Sequence, residues 1–319
     1  MAGRTRRKSR TKFVLTCPGQ AATLPRMVRD TDRSAPATFA AVPEPASFFR
    51  GPAQEEALAR LEWLVDQRQR CGLVVAGPGM GKSHLAVTAA RGLGGMGAEV
   101  IMLSLAGLPE GEWLDLLLDR IQFDPASRSE PIRPWLKLEN RLRENTLLGR
   151  PTVLLLEDLD RGPADAREAA ARLATAAEPR FATVTIIATA RPAGLGLVPE
   201  EVRGRAAVRI ELPLWSEEDV AGYLRGGLER TGRPGDLFTP AAAATLLRFA
   251  VGVPQVVSHL AELSLAAAEA EGLSRIEPAT VEEVWRELAT AEPDRASPSG
   301  DPAVPEHSGR FRPVRRLSS

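Results

Sequence analysis

Five short apolar runs punctuate the chain, and most segments between them carry apolar residues at helical spacing. Residues 73–75, 99–103, 152–156, 183–188 and 207–212 read as strands, rich in Val, Ile and Leu. Between and around them, Ala57, Leu58, Leu61, Leu64 and Val65 alternate with Glu55, Glu56, Arg60, Glu62, Asp66 and Arg68, which predicts an amphipathic helix from Gln54. Further helices are expected over 85–93, around 113–121, from Pro134 through Leu138, Leu142 and Leu147, and over 164–177. A polar break separates two of them at 123–130. Strands that alternate with helices and are apolar on both faces imply an α/β fold: a parallel five-stranded sheet sandwiched by helices.

From Pro213 the pattern changes. Ser216 and Asp219 occupy capping-box positions for a helix through Tyr223 and Leu228. Three more helices follow, over 241–250 after Thr239-Pro240, over 254–270 and over 278–288, with no strand among them. The expected organisation is therefore an α/β core over 47–212 and a small all-α domain over 213–291. Residues 1–46 are rich in Arg, Pro, Ala and Thr without periodicity and read as a flexible basic arm. The stretch 292–319 is rich in Pro, Ser and Gly and reads as a disordered tail.

The first strand runs into Ala76-Gly77-Pro78-Gly79-Met80-Gly81-Lys82-Ser83-His84, after which helical spacing begins. This strand, glycine-rich turn and helix form the pattern of a phosphate-binding P-loop, and residues 77–84 are the candidate nucleotide contacts. Gly79 and Gly81 let backbone N–H groups face an anion without a Cβ in the way. Lys82 can bridge β- and γ-phosphates, and Ser83 can offer a hydroxyl to Mg²⁺. Ala76 stands where the usual motif has its first glycine, which is tolerable at negative φ.

A P-loop also needs a carboxylate at the end of a neighbouring strand. Glu157-Asp158, after the apolar run 153–156, occupies such a place: Glu157 toward the metal, Asp158 toward the attacking water. Thr189 and Arg191 follow the fourth strand, as residues that sense a γ-phosphate or as solvated loop positions. Arg203 and Arg205 precede the fifth, as fingers acting across a subunit boundary or as a surface pair. His84 lies along the P-loop helix with no catalytic role, and His259, inside an apolar helix, reads as a core or boundary histidine. Three histidines and two separated cysteines offer no metal cage.

With these elements in order, the chain resembles the AAA+ P-loop ATPases. Within them it resembles the ExeA/general secretion pathway protein A group, related to transposition-regulating ATPases. The closer likeness rests on Ser47-Phe48-Phe49, Leu212-Pro213-Leu214 with Tyr223-Leu224, Leu237-Phe238-Thr239-Pro240-Ala241, and Gly252-Val253-Pro254. It implies an ATP–Mg²⁺ site under a mobile helical lid, hydrolysis that drives conformational change, and self-association or a protein partner. The chain departs from the pattern at Ala76, at the Glu157-Asp158 order, at Ala190 in place of a sensor Asn, and at Gln255, a sensor position where the group has arginine. These departures leave open slow hydrolysis or a switch gated by bound ATP.

Charge changes this picture in one respect. Over 319 residues, Lys+Arg and Asp+Glu balance at 41 each. Yet Arg4, Arg6, Arg7, Lys8, Arg10 and Lys12 face no acid in the first dozen residues, and Arg310, Arg312, Arg315 and Arg316 cluster near the other end. Either these ends are solvated arms or they contact DNA phosphates, as a transposition-type regulator would. No apolar run has the length of a membrane span, the basic N-terminus leads into no apolar h-region, and Cys17 and Cys71 frame no disulfide scaffold; a cytoplasmic protein is expected.

Overall fold

The computed structural model describes residues 38–39, 43–121, 133–176 and 184–291. The basic run 4–12, the polar break at 123–130 and the tail from 292 lie outside the described residues.

Five strands form one parallel sheet: β1 (Cys71–Val75), β2 (Glu99–Ser104), β3 (Thr152–Glu157), β4 (Val184–Ala190) and β5 (Ala206–Glu211), in the order β2-β3-β4-β1-β5. Every residue of β1, β3 and β4 is buried. The reason is helices on both faces. Along β3, Leu154 and Leu156 point into one core with Leu117, Leu138, Leu142 and Leu173, while Val153 and Leu155 point into the other with Leu61, Leu64, Leu85 and Leu93. The unbroken apolar runs in the sequence are thus two alternating sets, each with its own helical layer.

One layer holds α1 (Pro52–Asp66) and α2 (Lys82–Gly95); the other holds α3 (Trp113–Arg120), α4 (Pro134–Leu147) and α5 (Ala164–Thr175). A short α6 (Glu200–Gly204) leads into β5 and has no counterpart in the sequence reading. Chain order reverses beside β1, because β3 and β4 lie between β1 and β2. Open parallel sheets leave a ligand crevice at such a point, at the carboxyl ends of the strands.

The remaining helices are α7 (Glu217–Arg230), α8 (Pro240–Ala250), α9 (Pro254–Glu271) and α10 (Pro278–Ala291), packed around Val220, Leu224, Leu228, Leu246, Val257, Leu260 and Val281. Ser216 and Asp219 form the expected capping box: Ser216 Oγ accepts from the Asp219 N–H at 3.2 Å, and Asp219 Oδ2 accepts from the Ser216 N–H at 2.9 Å. Among the described residues no helix is long and apolar enough to cross a membrane.

Phe39 belongs to the segment read as an arm, yet its ring is only 2 % exposed and sits in this helical core. Its N–H donates to Glu262 at 2.7 Å, and its carbonyl accepts from the Ser258 hydroxyl at 3.1 Å. The ring lies 5.4 Å from Tyr223 and 6.1 Å from Phe238, centroid to centroid. Gly227 makes the room, since a Cβ there would stand 2.5 Å from the ring. Phe39→Ala is therefore expected to lower stability by about 3 kcal/mol, read from the denaturant midpoint.

Candidate functional site

The loop after β1 has the conformation that an anion cradle needs. Gly79 and Gly81 take φ of +73° and +85°, in the left-handed region where a Cβ is strained. Ala76 is not among the positive-φ residues, so alanine costs nothing at the position where a glycine was expected. Its N–H donates to the Ala190 carbonyl at 3.2 Å, tying the start of the loop to the end of β4.

Lys82 opens α2 and folds back over the loop, donating from Nζ to the carbonyls of Ala76 at 2.9 Å and Gly77 at 3.0 Å. Burial lowers the pKa of its ammonium, and the carboxylates of Asp158 and Asp160 oppose that shift. Both bonds are to neutral acceptors, so the charge itself is available to an anion.

Glu157 ends β3 beside it and is 7 % exposed. The Ser83 hydroxyl hydrogen-bonds to the carboxylate, while Oε1 is buried without a partner among the described residues. Burial raises the Glu157 pKa, against the hydrogen bond from Ser83. A carboxylate oxygen with nothing to bind, next to a hydroxyl at the head of a P-loop helix, is a donor set suited to a hard cation. No cluster of three or more His, Cys, Asp or Glu side chains fit for a metal occurs among the described residues. Ser83 and Glu157 would therefore hold Mg²⁺ only together with phosphate oxygens, as this ion is commonly held.

Asp158 adopts a left-handed conformation at φ +50°, which swings the chain away from the strand and leaves its side chain on the cleft wall. Its N–H donates to Thr189 Oγ1 at 2.9 Å, so Thr189, 2 % exposed, braces the acidic turn. Arg191 also lines the cleft, and its Nε donates to Asp160 Oδ2 at 2.8 Å. Sequence reasoning passed over Asp160; its burial comes from a turn that spacing does not reveal.

The cleft has a volume of about 830 Å³ and runs from the P-loop to the helical domain. Gln255, on the first turn of α9, donates its N–H to the Gly79 carbonyl at 3.0 Å, and its side chain covers the same glycine. Phe49, Trp215 and Tyr223 form an aromatic wall, with Phe49 and Trp215 centroids 5.1 Å apart and Trp215 and Tyr223 4.8 Å apart. His84 lines the cleft too, but its Nε2 lies 2.7 Å from the Glu44 carbonyl and 3.2 Å from Ser47 Oγ, which ties the lead-in segment to α2. His259 is exposed along this cleft, where the sequence suggested a core or boundary position.

Arg203 and Arg205 lie elsewhere. Cys71 pairs in register with Ala206 and Val75 with Glu211, so both arginines stand at the amino end of the sheet, one strand length from the P-loop. That is roughly 15 Å, beyond the reach of either side chain to its own site. Arg203 pairs with Glu200 at 2.5 Å, and Arg205 is exposed.

This arrangement is the AAA+ P-loop fold. The chain is similar to RuvB of Thermotoga maritima, described as a Holliday junction branch migration motor, at 17 % identity and a TM-score of 0.54 over 76 % of this chain and 70 % of that one. It is similar to Cdc6p of Pyrobaculum aerophilum at 15 % identity and a TM-score of 0.59, covering 79 % and 70 %. It is also similar to the ORC2 protein of Aeropyrum pernix, solved with ADPNP and ADP, at 14 % identity and a TM-score of 0.58, covering 81 % and 72 %. No known family's sequence profile matches the chain, and no curated protein matches it.

Proposed function

We propose that the chain is a cytoplasmic Mg²⁺-dependent ATPase that converts ATP binding and hydrolysis into movement of its helical lid and assembly with a partner. The observation that carries this reading is the buried carboxylate of Glu157, hydrogen-bonded by Ser83 and with its Oε1 orphaned, beside a P-loop in left-handed glycine conformation. Lys82 leaves its two carbonyls for the β- and γ-phosphates. Residues 77–84 supply the phosphate cradle, with Ser83 and Glu157 on the metal side. Mg²⁺ supplies charge neutralisation at the phosphates. Asp158 orients the attacking water and takes its proton as the new oxygen–phosphorus bond forms and the β–γ bridge breaks. Arg191 reads the γ-phosphate from the cleft wall, and Thr189 acts by bracing Asp158.

Adenine nucleotide is the preferred ligand from the AAA+ resemblance. The aromatic wall favours firm binding, and Gln255, where the resembling group has arginine, favours slow turnover because the lid lacks a cation for the γ-phosphate. Finer kinship with the general secretion pathway protein A group rests on the sequence signatures at 212–214, 237–241 and 252–254. The residue after the first of these is bonded to the third, the Trp215 N–H donating to the Gly252 carbonyl at 2.8 Å.

The test is nucleotide binding by titration, with Mg²⁺-dependent phosphate release and sedimentation measured on the same sample. A wild-type protein that binds no ATP at millimolar concentration would remove the reading. Arg203 and Arg205 cannot reach their own site, so a role for them in hydrolysis is a role in trans, across a subunit boundary. Turnover per protomer should rise with protein concentration, and Arg205→Ala or Arg203→Ala should lower it about 100-fold or more at unchanged ATP affinity.

A second reading, DNA association, is favoured by the six acid-free basic residues at 4–12 and by the stated role of the similar RuvB. Such binding would weaken steeply with salt and fall on removal of residues 1–12.

A further inference from the structure

We propose that Asp160 is a positioning residue that aims the guanidinium of Arg191 at the terminal phosphate; this rests on the ATPase reading above. Asp160 is wholly buried at the side chain, in the turn that follows Asp158. Its Oδ2 accepts from Arg191 Nε at 2.8 Å, and its Oδ1 lies 3.4 Å from the Arg191 backbone N–H. One carboxylate therefore holds one residue by main chain and side chain together. That fixes the start of the loop after β4 as well as the course of its arginine.

The manner of pairing is informative. Arginine–carboxylate pairs are frequently made by two parallel donors of the fork. Here the contact is made through Nε, while Nη1 and Nη2 bond to nothing among the described residues. The side chain is 40 % exposed on the cleft wall that Lys82 and Asp158 also line. The free end of the fork is the end suited to phosphate oxygens, and the anchored end carries the cost of holding it there. Backbone space is reserved for the anchor as well: a Cβ on Gly194 would stand 2.0 Å from Asp160 Oδ2. Ala190 occupies the adjacent strand-end position and has no donor in its side chain. The polar contact at this edge of the cleft is left to Arg191.

A purely structural role and a positioning role differ in one measurable ratio. Loosening of the site weakens ATP and ADP alike, whereas misaiming Arg191 weakens only the ligand that carries a γ-phosphate. Asp160→Asn keeps the size and one acceptor oxygen but not the charge. Arg191→Lys keeps the charge but gathers its donors on one nitrogen, so it lacks the fork that holds Asp160 at one end and a phosphate at the other. Affinities of ATP and ADP are measured by displacing a fluorescent ADP analogue from the full chain with Mg²⁺ present.

Both variants are expected to lose about 10-fold in ATP affinity while ADP affinity changes less than about twofold. Equal losses for the two nucleotides, or an unchanged ratio in a folded Asp160→Asn protein, overturn the proposal and leave the ATPase reading standing. If Asp160→Asn does not fold, Arg191→Lys decides alone: a wild-type ratio overturns it. Failure of the wild-type protein to bind either nucleotide removes the ATPase reading and this proposal together.

Discussion

Lys82→Ala is expected to weaken ATP binding about 100-fold or more and to bring Mg²⁺-dependent phosphate release below detection. Lys82 is buried in the native protein, and among the described residues its ammonium bonds two neutral carbonyls of its own loop. Exchange of those carbonyls for phosphate oxygens replaces neutral acceptors by charged ones, each such bond being worth roughly 1.5–3 kcal/mol. Without the lysine, the cradle of backbone N–H groups faces the nucleotide without a compensating charge. Stability should change little, because loss of the two hydrogen bonds is offset by relief of a buried charge. Calorimetric titration and a melting curve on the same sample separate the two effects. A melting point close to wild type with affinity unchanged would show that Lys82 does not hold phosphate.

Glu157→Gln should cut turnover by about two orders of magnitude or more while raising the stability of the nucleotide-free protein by about 1 kcal/mol at neutral pH. Burial holds the Glu157 pKa above its ordinary value near 4.5, so the folded chain keeps this proton to higher pH than the unfolded chain does. Between those two values the unfolded state binds fewer protons, and stability therefore falls as pH rises through the window. Below about 4 both states are protonated and the group contributes no pH dependence. The expected result is a denaturant midpoint that declines above pH 4.5 in wild type and less so in the variant. ATP with Mg²⁺ should close the gap at pH 7 by stabilising wild type more than the variant. A variant with the wild-type pH profile would remove the buried-charge account of Glu157.

The sheet was legible because its strands are buried on both faces. Runs such as Val153 to Leu156 have no alternation, and only a parallel sheet between helices accounts for them. The loop 77–83 was legible because its chemistry is local: glycines, a lysine and a hydroxyl within one turn. Strand order was not, since pairing of β1 with β4 and β5 joins residues more than a hundred positions apart. The short α6 escaped because five residues complete little more than one turn and carry no period.

Polar contacts across the fold were harder still. Asp160 and Arg191 are 31 positions apart, and nothing in their spacing shows that one carboxylate grips the other residue twice. Phe39 stands in a stretch without periodicity. The glycine that receives it, Gly227, reads in sequence as a weak point in α7.

The bond from Gln255 to Gly79 makes the helical domain a load on the turn that grips phosphate under the proposed function. A force applied to the far end of α9 by another molecule arrives at Gly79 through a rigid lever of eighteen residues. Under the proposed function such a lever works in both directions: a docked neighbour would pry the nucleotide loose, and a tightening cradle would swing whatever the neighbour holds.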